Sequence, residues 1–472
     1  MSAAAGVDAL RVRFEAQRAA HAREPYPSLA SRLDRLARLL ALVRERERDL
    51  VDAIDADFGH RSSHETRLAE LYIVAAGAKH AMRSLPRWMR RRKVATPVQL
   101  KPGRAYVLPQ PLGVAGIVSP WNYPVQLALA PAIGALAAGC RVMLKPSEVT
   151  PATSALLAQA IGGRFGADEF VVVTGGAEIG AAFTRLPFDH LFFTGSTAVG
   201  RKVAMAAAAN LTPVTLELGG KSPAIVEASA DLARLAPRLV VGKLLNAGQT
   251  CIAPDYAIVP PARVDAFVAA VGDAVRALYP DPARSADYTT IVNDRHFARL
   301  DALVADARAK GAAIVTIPPD ARPDPTTRRY PPTLIVGARD GMAIMEEEIF
   351  GPLLPVEILG TVDEAIAAVR RRPRPLAFYV FTDDRAVRER ILRETIAGGV
   401  TVNDTLWHFA HEELPFGGVG ASGIGAYHGE ASFSTFSHLK SVFVQPRFAA
   451  ASLLYPPYGA TFERVLALLK RL

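Results

Sequence analysis

The chain has 472 residues, half of them apolar, and 55 Lys and Arg against 46 Asp and Glu give a formal charge of +9. This composition excludes a disordered chain and suffices for two or three domains of ordinary size. Two cysteines exclude a disulfide framework and point to a reducing, cytoplasmic setting. Residues 1–7 lack the basic stretch that opens a secretory signal. The longest uncharged apolar run, 127–140, falls short of the roughly 20 residues that cross a bilayer. Basic side chains are interleaved with acids, as in Arg44-Glu45-Arg46-Glu47-Arg48. The one dense cluster, Arg87, Arg90, Arg91, Arg92 and Lys93, reads as a solvated helix end rather than a nucleic-acid or membrane surface.

Apolar positions three and four apart predict helices over residues 8–93. Residues 94–107 are rich in Pro and Val, and 97–107 reads as a β-hairpin arm. From Gly113 onward, strands at 114–118, 141–145, 170–174, 190–193 and 214–218 alternate with helices at 127–139 and 153–164, one ending at Leu186, and 199–209. This alternation predicts a parallel sheet covered on both faces, with ligands at the carboxyl ends of its strands. After a junction near Gly219-Gly220 a second series begins, with strands at 224–226, 257–259, 313–316, 355–358, 377–381 and 399–402. The predicted fold is α/β: two Rossmann-like parallel-sheet domains and a small β arm. One domain comprises 1–96 with 113–218, the other 219–403, and the arm and tail 97–112 with 404–472.

Gly248-Gln249-Thr250-Cys251 follows a helix-compatible stretch, 239–247. A lone cysteine is ordinarily a small buried apolar residue, but in a glycine-bearing loop it can be exposed and act as a nucleophile. Glu217 ends a predicted strand between two leucines. Partial desolvation there would raise its pKa toward that of a general base, unless it simply pairs with Lys221. Asn122, in Ser119-Pro120-Trp121-Asn122-Tyr123-Pro124, sits in a proline-stiffened loop after a strand. Its amide is a candidate oxyanion donor or an ordinary turn asparagine. No Gly-x-Gly-x-x-Gly fingerprint joins a strand to a helix in the first α/β series. Instead Phe193-Thr194-Gly195-Ser196-Thr197-Ala198-Val199-Gly200 joins a strand to a helix, and Ser196 can cap that helix at an anion-binding end. Lys145 and Glu148, in Lys145-Pro146-Ser147-Glu148, can both reach ribose hydroxyls, and the acid disfavours a 2′-phosphate, so NAD is favoured over NADP. Ten histidines show no metal-ligand spacing, and no metal is expected. Cys140, after a small-residue helix, reads as buried and inert.

These segments, with Glu347-Glu348-Ile349-Phe350-Gly351-Pro352 and Leu414-Pro415-Phe416-Gly417-Gly418, resemble the signatures of the aldehyde dehydrogenase superfamily in the family's order, across nearly the whole chain. Residues 374–381 and 417–429 resemble its class 3 branch. Within that branch the chain, with its Tyr455-Pro456-Pro457-Tyr458-Gly459 tail, is similar to bacterial coniferyl aldehyde dehydrogenases. The resemblance implies that Cys251 attacks the aldehyde, that Asn122 and the Cys251 amide hold the oxyanion, and that Glu217 activates water. It implies an NAD(P)-binding first domain, a catalytic second domain and an arm that pairs two subunits into a homodimer. Lys145 would contact the adenosine ribose, Ser196 the pyrophosphate and Glu348 the nicotinamide ribose. Phe350 would pack near the ring, with Ser119, Trp121, Gly195, Gly200 and Leu218 as further cofactor contacts. Tyr72, Tyr123, Trp407 and Phe409 are candidates for an aromatic substrate funnel, or ordinary packing residues. Glu217 argues against a CoA-acylating relative, and the full set of polar residues argues against a non-enzymatic, crystallin-like protein.

Overall fold

The computed structural model describes residues 3–447 and 450–471. Residues 1, 2, 448, 449 and 472, at the margins of the expected first domain and tail, lie outside the described residues. Four long amphipathic helices, Ala3–Arg23, Leu29–Glu45, Glu47–Phe58 and Ile73–Trp88, fill most of the segment predicted helical. The segment ends in a strand, β1 (Arg92–Val94), which pairs antiparallel with β2 (Arg104–Pro111), Lys93 opposite Tyr106. The hairpin predicted at 97–107 is therefore displaced. Its first strand precedes Pro97, and the Pro-bearing piece 95–103 connects the two strands.

The first sheet contains β3 (Val114–Val118), β4 (Arg141–Lys145), β5 (Phe170–Val172), β6 (His190–Thr194) and β7 (Val214–Glu217). They run parallel in the order β7-β6-β3-β4-β5. Side chains alternate between two buried faces. Met143, Leu191, Phe193 and Leu216 meet Leu10 and Phe14 of the first helix, while Ala115, Ile117, Val142, Leu144 and Phe192 join the main core with Ala128 and Leu129 of the helix Gln126–Ala138. From β3 the chain moves one way to β4 and β5, then returns to the other side for β6 and β7. The strand order thus reverses between β3 and β6, and a crevice opens at their carboxyl ends.

The second sheet contains β8 (Pro223–Val226), β9 (Tyr256–Val259), β10 (Ala313–Thr316), β11 (Thr333–Val336), β12 (Leu353–Ile358), β13 (Ala377–Phe381) and β14 (Gly399–Val402). The order is β10-β11-β12-β9-β8-β13-β14, parallel except for β10. β7 ends at Glu217 and β8 begins at Pro223, and the Asp255 amide donates to Ser222 O at 2.7 Å. The carboxyl edge of the first sheet therefore meets the amino edge of the second. β15 (Gly423–Ile424) returns antiparallel to β7, with Gly423 opposite Glu217. β16 (Ser437–Val444) pairs along the whole of β2 and completes a three-stranded arm. Among the described residues no helix is long and apolar enough to cross a membrane.

Candidate active site

Strand register assembles the first group of residues. Val118 of β3 is level with Lys145 of β4 and Phe193 of β6, and Thr194 is level with Glu217 of β7. The loops carrying Ser119 to Asn122, Lys145 to Glu148 and Gly195 to Ser196 therefore leave one edge together, beside Glu217. The buried Lys145 ammonium donates to Glu148 at 2.5 Å. Burial opposes ionisation of Glu148, but the Lys145 hydrogen bond, a backbone hydrogen bond and the Lys145 charge together outweigh it and hold the carboxyl below its ordinary value. The Ser119 amide donates to Lys145 O at 3.1 Å, while its buried hydroxyl has no partner. Ser196 caps the helix Thr197–Ala208 by accepting from the Val199 amide at 3.4 Å. One turn on, a Cβ at Gly200 would lie 2.5 Å from the Leu218 side chain, which would have to shift to admit it.

Cys251 comes from the second sheet. The helix Leu232–Leu244 leads to three consecutive left-handed residues, Asn246, Ala247 and Gly248, with φ of 55°, 51° and 76°. A Cβ at Gly248 would sit 2.3 Å from Gly351 O, so the position tolerates glycine alone. The turn is fixed by side chains. Gln249, fully buried, donates to Asn246 O and Thr290 O, each at 3.0 Å, and accepts from the Val292 amide at 2.9 Å. The Thr250 hydroxyl meets the Tyr123 hydroxyl at 2.7 Å, and Tyr379 donates to Ile252 O. Both neighbours of the partly buried Cys251 are thus anchored. Asn122 reaches the same turn, its side-chain amide donating to Gln249 O at 3.1 Å. Of that amide's two N–H groups, one is used in this bond.

Lys221, the candidate partner of Glu217, turns elsewhere: it pairs with Asp255 and donates to Ile344 O at 2.7 Å and Glu347 O at 3.0 Å. Glu217 is 2% exposed and neither carboxylate oxygen has a partner. Burial alone pushes its pKa well above the ordinary value. Burial, then the carboxylates of Glu348 and Glu217, push the Cys251 thiol up as well. Glu348 titrates at about 8, raised by burial and then by Asp255. Its carboxylate lies where a Cβ at Gly219 would be, 1.9 Å from Oε2, so that glycine makes room for it. Asp255 accepts from the Ile349 amide at 3.0 Å, and Arg299 donates to Glu348 O at 3.1 Å. Phe350, itself left-handed with φ of 50°, meets the Trp121 ring edge-on at 5.4 Å.

The four aromatic candidates divide. Tyr123 is buried and bonded to the cysteine turn through Thr250, and Phe409 packs edge-on against Phe416 and His428. Tyr72 and Trp407 are 63% and 64% exposed. Cys140 is buried, its thiol donating to Phe436 O at 3.3 Å and raised to about 11 by burial. Sequence reasoning overlooked Asn246 and Gln249, although both lie within five residues of Cys251. It also overlooked Arg61, Glu65 and Glu70. Arg61 donates to Asn122 O at 2.8 Å, Glu70 accepts from the Val125 and Gln126 amides at 2.7 and 3.1 Å, and Glu65 accepts from the Asn246 amide at 2.9 Å. Their charged, helical surroundings gave no sign of burial.

The arrangement offers a thiol, a buried carboxyl (Glu217) free of any partner and an amide with an unused N–H. Together these suit covalent attack on a carbonyl, stabilisation of an oxyanion and later activation of water. Comparison with known proteins gives the family. Residues 2–442 match the model of the aldehyde dehydrogenase family. The coniferyl aldehyde dehydrogenase of Pseudomonas sp. strain HR199 is 45% identical over 468 residues, covering 98% of this chain and 97% of that one. The substrate-bound structure of Staphylococcus aureus AldH superposes with a TM-score of 0.93 at 38% identity, covering 97% of this chain and 99% of that one. An aldehyde dehydrogenase of Mycobacterium tuberculosis, solved with NAD+, has a TM-score of 0.82 at 30% identity, covering 92% and 90%. The chain belongs to the aldehyde dehydrogenase family and is an aldehyde-oxidising enzyme.

Proposed function

We propose that the protein oxidises an aromatic, coniferyl-type aldehyde, or a medium- to long-chain one, to its acid through a covalent thioester on Cys251. The observation that carries this reading is the unpartnered Glu217 carboxyl beside an anchored cysteine and the Asn122 amide. Cys251 Sγ bonds to the carbonyl carbon as the thiol proton passes to the ionised form of the Glu217 carboxyl, which releases it to solvent before its second use. Asn122 uses its second N–H, with the Cys251 backbone amide, to hold the oxygen that becomes charged. Such a donor is worth about 100- to 1,000-fold in rate. Glu217 then takes a proton from water, which attacks the thioester carbon. The C–S bond breaks, the acid leaves, and the thiol regains a proton. Because Glu217 is present, water rather than CoA resolves the thioester.

The first sheet would bind a nicotinamide dinucleotide. Its switch-point crevice, the buried unpartnered Ser119 hydroxyl and the Lys145–Glu148 pair fit such a group. Lys145 and Glu148 would hold the adenosine ribose, Gly195, Ser196 and Gly200 the pyrophosphate, and Leu218, Glu348, Phe350, Ser119 and Trp121 the remainder. When bound, the nicotinamide supplies the acceptor for the hydride that the thiohemiacetal carbon gives up. Glu148 is ionised and would repel a 2′-phosphate, so NAD is preferred over NADP. The second domain, 219–403, supplies the nucleophile, and the arm joins two copies. Tyr123, Phe409, Tyr72 and Trp407 would face the aldehyde. NADH or NADPH formation with acetaldehyde, octanal, benzaldehyde and coniferaldehyde tests the reading. Turnover highest with coniferaldehyde and NAD supports it. Equal turnover of all four removes the aromatic assignment, and no turnover of any refutes the proposed chemistry.

A further inference from the structure

Behind the candidate site, three ionisable side chains converge on the backbone that carries Asn122 and Cys251, and no step above uses them. Arg61 and Glu70 are fully buried and paired at 3.0 Å. The Arg61 guanidinium also donates to the carbonyl of Asn122 at 2.8 Å. The other oxygen of Glu70 accepts from the amides of Val125 and Gln126, where the chain leaves the Asn122 loop and enters a helix. Glu65 lies on the other loop. One of its oxygens accepts from the Asn246 amide at 2.9 Å and from the Thr289 hydroxyl at 3.0 Å. Asn246 is the first residue of the left-handed turn and, being no glycine, needs such a restraint. Its side-chain amide crosses to Asn122 O at 3.0 Å and to Gln249 O at 3.2 Å. The carbonyl of Asn122 therefore takes donors from Arg61 and Asn246 together.

We infer that Arg61, Glu65 and Glu70 form a positioning clamp that fixes the Asn122 amide relative to the Cys251 thiol. The inference rests on the reading of Cys251 as nucleophile and Asn122 as oxyanion donor. Paired charges buried behind a loop, with two hydrogen bonds spent on one carbonyl, hold geometry that packing alone would leave loose. A displacement of about 1 Å between reacting groups costs on the order of 100-fold in rate. Glu65→Ala removes the acceptor for the strained amide. Asn246→Gly keeps the left-handed backbone but removes the cross-link. Glu65→Gln keeps an oxygen able to accept both bonds.

The test compares these variants by single-turnover NADH formation with benzaldehyde and saturating NAD, by NAD affinity from protein fluorescence, by thermal midpoint, and by the rate of Cys251 alkylation with iodoacetamide in the absence of NAD. The clamp predicts that Glu65→Ala and Asn246→Gly lose about 10- to 100-fold in single-turnover rate. NAD affinity should stay within about twofold, the alkylation rate should change by at least about threefold, and Glu65→Gln should recover most of the loss. Where Glu65→Ala does not fold, Asn246→Gly carries the comparison. Single-turnover rates within about twofold of the parent in folded variants would overturn the clamp, as would equal losses in rate, NAD affinity and thermal midpoint. Cys251→Ala, run in parallel, separates the two levels. An inactive Cys251→Ala beside unaffected clamp variants fails the clamp alone. An active Cys251→Ala fails the nucleophile reading and the clamp with it.

Discussion

Glu217 has neither a hydrogen-bond partner nor a compensating cation, and burial is the only cause of its shift. The carboxyl must lose its proton to act as a base, so the rate of acid release should rise with pH through a limb above the ordinary carboxylate range, near 4.3. A pH profile of kcat under conditions where acid release limits turnover checks this, and a flat profile from pH 5 to about 8 would remove Glu217 from the role. Cys251, Glu217 and Asn122 stood out in the sequence because each combines a reactive side chain with a Gly- or Pro-marked loop, after a helix for Cys251 and at a strand end for Glu217 and Asn122. Whether Glu217 paired with Lys221 was not legible, since both partners of Lys221, Asp255 and the 344–347 backbone, are distant in sequence. Arg61 and Glu70 were not singled out, because helical spacing does not reveal what a charged residue reaches across the fold.

At the scale of elements, the turn before Cys251 is the most constrained piece of backbone. Gly248→Ala would force a side chain into a φ of 76° and to within 2.3 Å of Gly351 O, in a loop shared with Glu348 and Phe350. We expect a destabilisation of about 1–3 kcal/mol, seen as a lowered thermal midpoint, with lost turnover even where the protein remains folded. An unchanged midpoint and unchanged activity would show that the turn is not under the constraint described. The same scale shows why some strands were missed. β11 has four residues behind Pro331-Pro332, and β15 has two residues within a glycine-rich loop. β16 is mostly exposed and gains its identity from pairing with β2, a partner more than 300 residues earlier. The parallel strands β3, β4 and β6 were legible as near-continuous apolar runs because both faces of their sheet are buried.

Across the whole molecule, the edge-to-edge meeting of two sheets brings the loop after β3 and the end of β7 against the cysteine turn before β9. Neither sheet alone carries the complete set of groups. The arm leaves Val94, Leu439, Phe443 and Val444 exposed, a surface suited to a second copy. Light scattering at micromolar concentration should give the dimer mass, and a monomer there would contradict the proposed pairing. The central claim is that Cys251 carries the acyl group and Glu217 releases it. Its most direct test is intact mass and peptide mapping of the Glu217→Gln variant after mixing with benzaldehyde and NAD. The account predicts a burst of NADH equal to the enzyme concentration and a benzoyl group on Cys251. Full steady turnover with no acyl group on Cys251 would contradict it.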